Sequence, residues 1–139
     1  MKLELIEQPE KAIYDRIQGG IRAYNQQFLP SKEQHLQVAL LAKDESGELL
    51  GGMNAYFYAT CVFVEHLWID ESQRKSGLGS TLIKRIEVEA KSRQVTDMFL
   101  DTYSFQARDF YIKHGFTEVG KYTNFPTKGI DKYFLQKAI

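Results

Sequence analysis

The chain has 139 residues, with 18 Lys and Arg balancing 18 Asp and Glu, one cysteine and no apolar run longer than five residues. That length suits a single domain with a substantial core, and 43% hydrophobic with 13% aromatic residues excludes a chain disordered throughout. Zero net charge argues against a nucleic-acid coat protein, lone Cys61 excludes an internal disulfide framework or multi-thiolate zinc site, and no stretch nears the ~18 apolar residues of a membrane helix, so a cytoplasmic protein without membrane, metal or nucleic-acid partners is expected.

In chain order, Leu3 and Leu5 alternate with charged residues and suggest a first strand ended by Pro9. Ile13, Ile17, Ile21, Tyr24 and Phe28 then recur at helical spacing, with Gly19-Gly20 expected to split the segment into two helices. Residues 35–43 and 49–58 read as an antiparallel hairpin around a charged, turn-forming linker. Residues 61–69 are rich in β-branched and aromatic side chains and predict a largely buried strand, in which Glu65 and His66 are the polar exceptions. Leu78, Leu82, Ile86 and Ala90 repeat every four residues against a charged opposite face, an amphipathic helix. Residues 95–102 form the next strand, and a helix between two such strands predicts a right-handed βαβ unit with parallel strands. Ala107, Phe110, Tyr111 and His114 share a helical face that ends at Gly115, and residues 116–122 and 131–136 close the chain as two strands. No repeat or linker composition divides the chain, so residues 1–139 are read as one domain.

The segment Gln73-Arg74-Lys75-Ser76-Gly77-Leu78-Gly79-Ser80-Thr81 stands between the buried strand and the amphipathic helix. A helix start offers unpaired N–H groups and the positive end of the helix dipole, and glycines let backbone approach an anion closely, so this loop reads as a pyrophosphate cradle with Arg74 and Lys75 adding charge. A Walker A loop would need a lysine between the second glycine and Ser80, and a dinucleotide fingerprint would need a small residue at Leu82.

Arg74-Lys75-Ser76-Gly77-Leu78-Gly79 resembles the Arg/Gln-x-x-Gly-x-Gly/Ala loop of the GNAT superfamily of N-acetyltransferases. Glu65-His66-Leu67-Trp68-Ile69-Asp70 looks like that family's fourth strand, and residues 104–116 resemble its Asn-x-x-Ala-x-x-x-Tyr-x-x-x-Gly-Phe helix, with Ser104 where the Asn is frequent. The resemblance implies an α/β (α+β) fold: a mixed, mostly antiparallel sheet of six to seven strands, flanked by about four helices and opened around its fourth and fifth strands.

It further implies acetyl-CoA as co-substrate and a primary amine as acceptor, and it leaves a homodimer open. Leu67, Trp68 and Ile69 would offer backbone contacts to the pantetheine, while Arg74, Lys75, Ser76, Gly77, Leu78, Gly79 and Ser80 would hold the pyrophosphate. Ser104, Ala107, Phe110 and Tyr111 would border the cofactor, with Ser104 replacing the Asn less fully. Tyr111 corresponds to the acid that protonates the departing thiolate, a task suited to a phenol of pKa ~10.

The attacking amine must shed a proton, and Glu65, a carboxylate in an apolar strand, is the first choice of base; His66 or a water-mediated path is the alternative. Strand alternation sends Glu65 and His66 to opposite faces, so one of them is expected at the site. Cys61 has apolar neighbours and no basic group beside it, which favours direct transfer in a ternary complex over an acyl-enzyme. Tyr24, Asn25, Phe28 and the Asn124-Phe125-Pro126 loop are candidates for acceptor recognition. A non-catalytic acyl-CoA-binding or regulatory domain is the alternative function.

Overall fold

Residues 1–29 and 35–139 are described by a computed structural model. The chain divides into two compact units, Met1–Glu33 and Gln34–Ile139.

Among its described residues the first unit holds one helix, α1 (Lys11–Asn25). It runs unbroken through Gly19 and Gly20, in place of the expected pair of helices. Two glycines cost ~1 kcal/mol each against alanine, a weak penalty once the turns on both sides are formed. The expected strand around Leu3 and Leu5 is absent; both side chains are exposed, and no strand lies among residues 1–29 for so short an alternation to pair with.

The second unit is a six-stranded sheet in the order β1-β2-β3-β4-β6-β5, built from β1 (Leu36–Lys43), β2 (Leu49–Tyr58), β3 (Cys61–Ile69), β4 (Asp97–Tyr103), β5 (Thr117–Tyr122) and β6 (Lys132–Ala138). All neighbours are antiparallel except β3 and β4, which run parallel across the connecting helix α2 (Leu78–Ser92), as the βαβ reading requires. The shorter α3 (Arg108–Lys113) precedes Gly115, whose φ of +90° makes the left-handed cap expected from the sequence. Among the described residues, three α-helices and a 3-10 turn (Glu71–Gln73) correspond to the expected count of about four helices.

The core fills one face of the sheet. Leu82, Ile83, Ile86 and Ala90 of α2 pack with Met53, Ala55 and Phe57 of β2, Val62 and Val64 of β3, Met98 and Leu100 of β4, Leu135 of β6, and Tyr111 and Phe116. The spacing of the α2 residues is the four-residue repeat visible in the sequence, so amphipathicity alone fixes which side of that helix meets the sheet.

Strand β3 is irregular on both of its edges. Its pairing with β4 spans only Cys61 to Val64 against Asp97 to Leu100. Beyond that point β3 pairs with β2 alone and β4 with β6 alone, so the sheet opens into a wedge. On its other edge His66 pairs with Asn54 and Val64 with Ala55, leaving Glu65 without a partner, a β-bulge. The extra residue shifts the parity of the strand: Val62 and Val64 belong to the core, and Leu67 and Ile69, partly buried, pack against it.

Candidate active site

One cleft of about 990 Å³ occupies the wedge. Its walls come from the open ends of β3 (Val64 to Leu67, and Ile69) and β4 (Leu100 to Tyr103), the loop into α2, the start of α3, and Lys132.

The loop end is electropositive by construction. Gly77 is the N-cap of α2 at φ +87°, a conformation that L side chains rarely adopt, and the first turn of α2 contains no acidic residue. Thr81 closes the first helical bond, its N–H donating to the Gly77 carbonyl at 3.0 Å. The N–H groups of Gly79 and Ser80, earlier in that turn, have no intrahelical carbonyl to meet and are available to an anion. Arg74 and Lys75 lie at the same end, both exposed. Upstream, Asp70 accepts from the Ser72 N–H at 3.0 Å and caps the 3-10 turn that leads into the loop. Those bonds hold the Asp70 carboxyl below its usual pKa, the Ser72 hydroxyl contributing most, then the Ser72 N–H. Gly79 serves a different purpose: a methyl added there would meet the Phe110 ring at 3.3 Å, so its absence lets α3 close on α2. The residues therefore fit a diphosphate-bearing cofactor, because charge, donors and backbone clearance coincide at one helix start.

In the middle of the cleft stands Tyr111. It is 9% exposed, its ring packed edge-on against Phe110 (5.1 Å) and Phe116 (5.9 Å). Its hydroxyl makes no hydrogen bond among the described residues, yet no buried side-chain oxygen there lacks a partner, so the hydroxyl is the part that reaches the cleft. Burial, then the negative charge of Asp101, raises the phenol above its ordinary pKa and keeps it protonated at neutral pH.

At the far end are Glu65, His66, Asp101, Tyr103, Phe105 and Lys132. The bulge overturns the alternation argument for Glu65 and His66. His66 Nδ1 lies 3.3 Å from Asn54 Nδ2, and the Glu65 charge, after burial, raises the phenol of Tyr56. Asn54 and Tyr56 share a face of β2, so both acidic and basic side chains turn the same way and both line the cleft. Lys132 Nζ rests 3.4 Å from Asp101 Oδ1, with the rings of Tyr103 and Phe125 5.5 and 5.3 Å away, and the Tyr103 ring stacks at 5.2 Å on the exposed Phe105.

Of the residues expected from the sequence, Glu65, Leu67, Ile69, Arg74, Lys75, Gly77, Leu78, Gly79, Ser80, Ala107, Phe110 and Tyr111 come together around this cleft. Trp68, Ser76 and Ser104 do not line it. The Ser76 hydroxyl donates back to the Gln73 carbonyl, and the Ser104 hydroxyl accepts from the Asp131 N–H at 3.0 Å, fastening the end of β4 to the start of β6. Gln106, Asp101 and Lys132 are additional lining residues that no motif singled out. Gln106 Oε1 accepts from the Tyr103 N–H at 2.7 Å and from the Thr102 hydroxyl at 3.2 Å, which leaves its amide N–H groups for the cleft. Cys61 is half-buried and is not among the lining residues. Asn124 is occupied within its own loop, its side chain accepting from the Gly129 N–H.

Comparison with known proteins agrees with this architecture. Residues 5–116 match the Acetyltransferase (GNAT) family. A blasticidin-S acetyltransferase of Streptomyces morookaense is 33% identical over 102 residues, covering 73% of this chain and 74% of its own. The crystal structure of an acetyltransferase from Bacillus cereus superposes with a TM-score of 0.88 at 34% identity, over 98% of both chains. An aminoglycoside 6′-N-acetyltransferase complexed with coenzyme A shares the fold, with a TM-score of 0.67 at 18% identity over 99% of this chain and 97% of its own. The glycine loop at the start of α2, the wedge between β3 and β4 and these relatives agree, and the chain belongs to the GNAT acetyltransferase family.

Proposed function

We propose that residues 1–139 form one acetyltransferase domain that moves the acetyl group of acetyl-CoA to a primary amine by direct attack in a ternary complex. The observation that carries this reading is the continuity of a single cleft from the cationic glycine loop, past a buried phenol, to a carboxylate on the opposite side of the wedge.

Each part has one task. The N–H groups at the start of α2, with Arg74 and Lys75, hold the diphosphate. Leu67 and Ile69 sit where β3 has left β4, so backbone groups on that edge are available to the amide-containing arm, and the Gln106 amide takes the place foreseen for Ser104. Tyr111 donates its proton to the sulfur as the carbon–sulfur bond breaks. Glu65, directly or through water, takes the proton that the amine sheds as its nitrogen bonds to the carbonyl carbon. The Asp101 carboxylate and the rings of Tyr103 and Phe125 already seat the ammonium of Lys132, and this supports an amine as the acceptor. Cys61, away from the cleft, supports transfer without an acyl-enzyme, and a single half-buried thiol suits a cytoplasmic workplace.

The test is thiol release from acetyl-CoA across an amine panel that includes polyamines, aminoglycosides, peptide N-termini and blasticidin S, the last because a relative's name carries it. Release with at least one acceptor is expected. Tight CoA binding with no release throughout would assign the chain to acyl-CoA binding without turnover. Failure to bind CoA would remove the cofactor from the reading.

A further inference from the structure

Ser80 lines the cleft at the glycine loop, and the group its hydroxyl touches lies outside that loop. Its Oγ lies 2.9 Å from Nε2 of His114, the residue that ends α3. The imidazole packs against Phe110, tilted by 55° with ring centres 4.7 Å apart, and Phe110 is the ring that closes against Gly79. His114 is thereby held by α3 and by the first turn of α2 at once, and its contact with Ser80 is part-buried.

We propose that His114 is a positioning residue for the cofactor: it orients the Ser80 hydroxyl toward the diphosphate, and binding of that anion draws a proton onto His114. This role rests on the proposal that the cleft binds acetyl-CoA.

The chemistry follows from what each form of imidazole can do. A neutral ring can accept the serine proton at Nε2, which leaves only oxygen lone pairs facing an anion. An imidazolium can only donate, so the serine proton swings toward the cradle, and a positive charge is added behind it. Without cofactor the neutral ring is favoured. Burial lowers the pKa of His114, the charges of Lys84 on α2 and Lys137 on β6 lower it further, and Glu87 on α2 opposes them. Glu87 is itself paired with Lys137 at 2.6 Å and Lys91 at 3.1 Å, so it answers those lysines before it answers His114. A bound diphosphate reverses the balance, raising the pKa of His114 and tightening its own binding as pH falls through the imidazole range.

The probe is 3′-dephospho-CoA, because the 3′-phosphate of CoA titrates near ~6 and would obscure the histidine. Titration calorimetry on the whole chain between pH 7.5 and 5.5 should show affinity rising severalfold on acidification, tenfold for each unit by which binding raises the pKa. In His114→Gln the amide still donates to Ser80 but does not titrate, so the pH dependence of affinity should be lost. Ser80→Ala should blunt the dependence with the histidine still present. A flat wild-type profile, or the same profile in His114→Gln, overturns the inference and leaves the cofactor reading intact. No binding of dephospho-CoA or of CoA by the wild type at any pH overturns both.

Discussion

Gly77 and Gly79 stand two residues apart in one loop, and the structure requires glycine at each for an unrelated reason. At Gly77 φ is +87° and nothing lies within 4 Å of an added Cβ, so alanine there meets only backbone strain. A left-handed alanine costs ~1–2 kcal/mol, and the stiffer unfolded chain returns ~0.4–1 of that, for a net loss of about 1 kcal/mol. In a chain of this size that is a drop in Tm of ~3 °C. At Gly79 the backbone is helical and alanine gains the same chain-entropy term, against a shift of a few tenths of an ångström by the Phe110 ring. Gly79→Ala should therefore fall within about 0.5 kcal/mol of wild type. Gly77→Asn, which tolerates the left-handed region better than alanine, should lie between wild type and Gly77→Ala. Urea midpoints and thermal melts on the four proteins give the ranking. If Gly77→Ala melts with the wild type, or if Gly79→Ala is the less stable of the two, the assignment of strain to Gly77 and of close packing to Gly79 is wrong.

Tyr111→Phe keeps the ring contacts with Phe110 and Phe116 and removes only the hydroxyl; kcat should fall by about 100-fold or more with CoA affinity nearly unchanged, and steady-state kinetics beside calorimetry would show an equally active variant if the acid lies elsewhere. Arg74→Ala should raise the Kd for CoA a few-fold and flatten its dependence on salt, since Arg74 is exposed and acts through a screened field. Glu87 is pushed up by burial, but its bonds to Lys137 and Lys91 outweigh that and leave its pKa lowered. A carboxyl lowered on folding stabilises fully above its unfolded value, here 4.5, and loses that contribution as pH falls through the lower folded value. Glu87→Gln should consequently be less stable than wild type at pH 7, on the order of 1 kcal/mol, and the gap should close in denaturant melts as pH falls below 4.5.

Most of the second unit is legible in the sequence because its signals are local and redundant. The repeat of Leu78, Leu82, Ile86 and Ala90 names both a helix and its inner face, and β-branched runs on either side of it imply parallel strands joined over that helix. The glycine loop is legible for the same reason, since a cap, a close approach and a charge pair all leave marks in adjacent residues. What escapes a linear reading depends on partners distant in sequence. A bulge is a mismatch between two strands, so the shared face of Glu65 and His66 is written in the pairing of Val64 with Ala55 and His66 with Asn54, and in neither strand alone. The motif position of Ser104 points to the cofactor, but its hydroxyl is claimed by Asp131, 27 positions on. Lys132 belongs to no motif and reaches the cleft because β6 inserts beside β4, while Gln106, at a variable position of the second block, is aimed there by its bonds to Thr102 and Tyr103. At the N-terminus helical periodicity is the sound guide, and the glycine pair, at ~1 kcal/mol per residue, is too weak to break α1.

The sheet is joined at its middle by a seam only four residues long, Cys61 to Val64 against Asp97 to Leu100, and the angle at which the wedge opens is set there. Its inward side chains, Val62, Val64, Met98 and Leu100, are also among the most deeply buried in the chain. Val62 and Met98 stand behind the cleft and contribute nothing to its lining. On the proposed function, residues that touch no acceptor would set acceptor breadth: adding one methylene to the seam, as in Val62→Ile, should change the gape of the site without altering any group that lines it. Hydrogen exchange would register such repacking at the amides of this short parallel stretch, where few bonds hold the two halves of the sheet in one piece.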